Sequence, residues 1–182
     1  MRTLIPVAGL AVFLSLPPVP LAAQQPTAGV ASEWDLRTAL TELNERMQQL
    51  DKMLKEIDPA SWKGTASAAA YTSQVTAIRN QILGLESLQR QLAEDAERLT
   101  LVLEAYIRLQ AIQTFLPSLT DGIRRYQNDA MAELLDSTFS DSTRYRDSIR
   151  EYLVDLVKVK ETELDVMNRE AQRCRQQVLR RD

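Results

Sequence analysis

Among the residues that could do chemistry, two groups of carboxylates stand out: Glu94, Asp95 and Glu97, and Glu161, Glu163 and Asp165. Paired carboxyl groups at the right separation can cleave a glycosidic bond, and several together can hold a divalent cation. Neither group has calcium-loop spacing, and acidic residues strung along charged helices usually form a solvated face. The third candidate is Cys174, the single cysteine, flanked by Arg173 and Arg175. Those cations would lower the pKa of an exposed thiol and favour the thiolate. Against all three stands the complete absence of histidine. The usual acid–base group at neutral pH is therefore missing, and so is the commonest metal ligand. No Ser-His-Asp or Cys-His set can form, and no phosphate-binding glycine loop is present. The sequence predicts a non-catalytic protein with no cofactor and no metal.

Cys174 has two further readings. It is a small apolar residue at a helix seam, or it forms an inter-chain disulfide, since an unpaired cysteine in an oxidising compartment invites one. Parallel, in-register pairing of two copies would bring the two thiols face to face.

The compartment is suggested by residues 1–23. Met1-Arg2 is a short basic start, Leu4 to Leu16 is apolar and uncharged, and Pro17 to Ala23 ends in small residues. This is the pattern of an export signal, and the apolar run is shorter than the ~20 residues a bilayer span needs. The expected location is extracytoplasmic, periplasmic or secreted, with no integral membrane segment after signal removal. The balance of 22 Lys+Arg against 25 Asp+Glu lacks the basic excess of a nucleic-acid binder. Glycine and aromatic residues are scarce, while Ala, Leu, Gln, Glu and Arg dominate. That composition belongs to long helices and coiled coils.

The spacing of apolar residues then sets out the elements. Residues 24–32 read as a disordered linker, with Ser32 as a helix cap. Over 33–57, Leu36, Leu40, Leu43, Met47, Leu50, Leu54 and Ile57 alternate steps of 4 and 3. This heptad predicts one narrow stripe packed on another helix. Over 58–65, "DPASWKGT" reads as a single turn between antiparallel helices. Pro59 expels Asp58 from helical geometry, Asp58 caps the turn, and Gly64 closes it. Trp62 in that turn is expected to plug the open end of the hairpin.

Residues 66–116 carry Tyr71, Val75, Ile78, Ile82, Leu85, Leu92, Ala96, Leu99, Leu103 and Tyr106 in one phase. Constant phase predicts one continuous or kinked helix of about 75 Å at 1.5 Å per residue, over the rival of a break at Asp95. Pro117 is expected to end or kink it, and 117–142 to form short helices, one of them with Met131, Leu134 and Leu135 inward. The last helix, 143–180, shows two stripes to Val159 and then one: Leu164, Met167, Ala171, Cys174 and Val178.

The expected fold is all-α: an elongated antiparallel helical bundle of coiled-coil-like hairpins, with 33–182 as a single domain. The expected function is a structural or adaptor role in the envelope or secreted space, through protein–protein contact, with homodimerisation as one route. Leu164, Met167, Ala171 and Cys174 are the expected interaction seam. The alternative is a periplasmic holdase cradling unfolded clients between helical arms. Arg169, Arg173, Arg175, Arg180 and Arg181 could add weak binding to an anionic surface, although basic residues at a helix C-terminus also simply complement its dipole.

Overall fold

A computed structural model describes residues 33–62 and 66–180. The export-signal pattern at 1–23, the linker to Ser32, and the turn closure expected of Gly64 lie outside the described residues. Five helices follow in order: α1 (Glu33–Lys55), α2 (Ala68–Glu94), α3 (Leu99–Tyr126), α4 (Asp129–Ser140) and α5 (Thr143–Leu179). They pack as an all-α helical bundle, and no strand occurs among the described residues.

The α1 stripe is buried as its spacing predicts, with Ala39 added beside Leu36, Leu40, Leu43, Met47, Leu50, Leu54 and Ile57. The helix stops at Lys55 because Asp58 precedes a proline; its backbone lies at φ −116°, ψ 87°. The Asp58 carboxylate accepts from the Ala60 amide at 3.1 Å, and Pro59–Ser61 form one 3-10 turn.

The 66–116 segment is not one helix. Asp95 (φ −143°, ψ 92°) and Arg98 (ψ 93°) are extended, and the chain reverses there. The Asp95 side chain accepts from the Glu97 amide at 3.2 Å, stabilising the turn locally. The physical reason for the error is a phase change that the earlier spacing conceals. In α3 the buried stripe is Val102, Ala105, Leu109, Ile112, Leu116, Leu119 and Ile123, whereas Leu103 is 44% exposed. This stripe is offset by one position from the predicted one. A one-residue offset turns the face by about 100°, so α3 folds back on α2 instead of continuing it. Contacts between Gln74 and Ser118 and between Gln81 and Arg108 fix that antiparallel pairing.

Pro117 does not end α3 either; the helix runs through it to Tyr126. The missing amide costs a hydrogen bond, but Leu116 and Leu119, almost fully buried on either side, hold the axis in place. The inward face expected of Met131, Leu134 and Leu135 is also turned. On α4, Ala132, Leu135 and Thr138 face inward and Leu134 is half exposed. Asn128 caps this helix, accepting from the Ala130 amide at 2.8 Å.

α5 returns along α3, tied by Arg146 to Gln113 at one end and Lys160 to Glu97 at the other. Tyr145, Ile149, Tyr152 and Leu156 are its buried face, and the Tyr152 hydroxyl donates to the Ala96 carbonyl at 3.2 Å. Lys160 therefore reaches the level of the α2–α3 turn, and everything after it lies past the end of the bundle.

Candidate interaction surface

Every residue from Glu161 to Arg180 is exposed. The helical part of that stretch, Glu161 to Leu179, spans about 28 Å at 1.5 Å per residue, so α5 projects as a single rod of that length. Helices of this size are marginal alone in water, because most helical stability comes from packing an apolar face. Here the apolar face exists but has no partner among the described residues. Leu164 is 57% exposed, Met167 65% and Val178 62%, and Ala171 and Cys174 lie on the same stripe, also exposed. Val166 and Leu179 add exposed apolar surface beside it. These are the residues expected as the interaction seam, and the reading of Cys174 as a buried residue at that seam is corrected. The helices that could have covered it end at the α2–α3 turn.

The rod's charge is divided. Residues 161–170 carry Glu161, Glu163, Asp165 and Glu170 against Arg169; residues 171–180 carry Arg173, Arg175 and Arg180 with no acid. The first half is acidic and the second basic.

Lys160 is the anchor at the root. Its ammonium lies 2.9 Å from Glu97 and 3.2 Å from Glu163. Hydrogen bonds that it donates to the Glu97 and then the Glu163 carboxylate raise its pKa above the ordinary lysine value. A lysine on the heptad of an otherwise apolar run was the sequence signal for this point, which marks where the stripe leaves the bundle. The ion pair also draws one carboxylate from each of the two acidic groups onto a cation. No cluster of three or more metal-ligating side chains occurs among the described residues.

Trp62 lies elsewhere, on the bundle. It is almost fully buried, its ring 5.7 Å from Tyr126 in a stacked arrangement and 5.2 Å from Tyr71 in a tilted one. That packing leaves little of the indole for a ligand. Gly122 backs the cluster: a Cβ there would sit 2.6 Å from the Tyr71 ring. A second polar group ties α1 to α5. The Tyr145 hydroxyl donates to Glu42 at 2.8 Å, and Arg144 lies over the Tyr145 ring at 4.5 Å. Both arrangements hold helices together; the second lines a shallow open groove with Asp35, Thr38, Ala39 and Ser148.

No helix among the described residues is long and apolar enough to cross a membrane. Compared with known protein families, curated proteins and solved structures, the chain finds no match.

Proposed function

We propose that this is an exported, non-catalytic helical protein that acts as a structural or adaptor element through protein–protein contact, with the projecting half of α5 as its docking helix. One observation carries the reading: an apolar heptad stripe, Leu164 to Val178, stands fully exposed beyond the bundle. Exposed apolar surface in a continuous line is a docking surface more often than an accident of composition, and a helix with apolar residues at this spacing meets another helix or an apolar groove. The export-signal pattern at Met1 to Ala23 supports the extracytoplasmic location. The lack of histidine supports a role without catalysis. The holdase alternative has less behind it, since a cradle needs two arms and, among the described residues, one leaves the bundle.

The test is affinity capture from the native envelope fraction with the wild-type chain and with a Leu164→Glu/Met167→Glu variant. Both positions are solvent-exposed, so the variant keeps its bundle, verified by circular dichroism. The reading expects co-purifying protein to be lost with the variant. Equal capture by both chains would remove the docking helix from consideration. Suppression of aggregation of unrelated unfolded proteins, unchanged by the substitutions, would favour the holdase.

A further inference from the structure

Resting on the docking-helix reading, we propose that the partner of the projecting rod is a second copy of this chain, laid antiparallel across it about a two-fold axis near Arg169. The argument is charge complementarity. The rod is acidic over 161–170 and basic over 171–180. Antiparallel self-pairing places each acidic half on a basic half, whereas parallel pairing sets halves of like net charge side by side.

The apolar positions accept this register. With Leu164 opposite Cys174 of the second copy, Met167 falls opposite Ala171 and Lys160 opposite Val178, each pair occurring twice by symmetry. Large residues then meet small ones in the central layers. Beside the seam, Glu161 faces Arg175 of the second copy, again twice. The unfavourable meetings are Glu170 with its own symmetry mate at the centre and, at each end, Arg180 at the level of Lys158. The basic end of each rod, Arg180, reaches the bundle end of the other, where the α2–α3 turn presents Glu94, Asp95 and Glu97 beside Arg98. Antiparallel pairing also sets the two bundles at opposite ends of the shared rod, so they do not collide.

This register separates the two Cys174 residues by about 15 Å along the axis, ten residues at 1.5 Å each. That is far beyond the ~7 Å limit on Cα separation for a disulfide. The inference thus differs from a parallel dimer closed by Cys174.

A charge-swap series on the full chain, followed by sedimentation velocity over a concentration series, tests it. Wild type should dimerise reversibly. Arg175→Glu should weaken dimerisation roughly tenfold, as two flanking attractions of a few tenths of a kcal/mol become repulsions. Adding Glu161→Arg should restore it, because those residues face each other only in the antiparallel register. In a parallel coil the residue facing Arg175 is Glu170, so rescue by Glu170→Arg instead would overturn the proposal. As an independent readout, Leu164→Cys should cross-link to the native Cys174 under mild oxidation, and Leu164→Cys/Cys174→Ser should not. Spontaneous Cys174 cross-linking of wild type would also overturn it. A wild-type chain that stays monomeric at every concentration sinks self-pairing alone, and the capture comparison still decides whether the rod docks another protein.

Discussion

Trp62, Tyr71 and Tyr126 form the one aromatic cluster seen among the described residues, and they sit where three elements meet: the 3-10 turn, the start of α2 and the end of α3. Truncating such a ring leaves a cavity that neighbouring helices cannot fill, at a typical cost of about 3 kcal/mol or more. Trp62→Ala should therefore lower unfolding free energy by about 3 kcal/mol in urea titration, whereas a residue serving only recognition would leave stability unchanged. Gly122→Ala is expected to destabilise as well, by about 1 kcal/mol. Alanine gains roughly 1 kcal/mol in helix propensity, but the added methyl overlaps the packed Tyr71 ring and overpacking costs 1–3 kcal/mol. Asp51 gives a pH prediction. Burial alone would raise its carboxyl pKa, but hydrogen bonds from Lys55 and Arg79 outweigh this and hold it below the usual 3.8. The ion pairs measure 2.7 Å and 2.8 Å. A folded-state pKa below the unfolded one contributes stability above the unfolded value, and that contribution is lost as pH falls through the folded one. Acid titration of unfolding free energy should show this loss below about pH 4, and Asp51→Asn should shrink it.

At the scale of the element, helix boundaries follow from local chemistry wherever a side chain can satisfy the backbone. Asn128 does so for α4, and Asn128→Ala should cost about 1 kcal/mol in the same titration. α5 is the element whose two halves differ most. Up to Lys160 it is held by buried tyrosines, leucine and isoleucine; beyond it, only intrahelical bonds remain. Amide exchange should accordingly be slow from Ile149 to Leu156 and fast from Glu161 to Arg180 in dilute solution. Protection of the second segment should rise with protein concentration if two rods pair.

For the whole molecule, the bundle and the rod are energetically separable. The core runs through α1, α2, α3, α4 and the first half of α5 and includes no residue past Leu156. A chain ending at Lys160 should melt within a few degrees of the full chain while losing the helical signal of roughly 20 residues. A large drop in melting temperature would mean that the rod packs somewhere within its own chain.

The α1 stripe, the Asp58-Pro59 turn and the length of α5 were all legible in the sequence, because each depends on neighbours within a few residues. So was the seam from Leu164 to Cys174, as an apolar line. Three things were not legible. Asp95 and Arg98 reverse the chain because α3 gains more by laying Val102 to Ile123 on α2 than by extending it, and that balance is set by contacts distant in sequence. Pro117 stays helical because the leucines flanking it are clamped by other helices. And whether an apolar stripe of α5 is buried or bare depends on where α2 and α3 turn, which its own spacing does not state. Periodicity states that a face needs a partner; only the packed fold decides whether the chain supplies one.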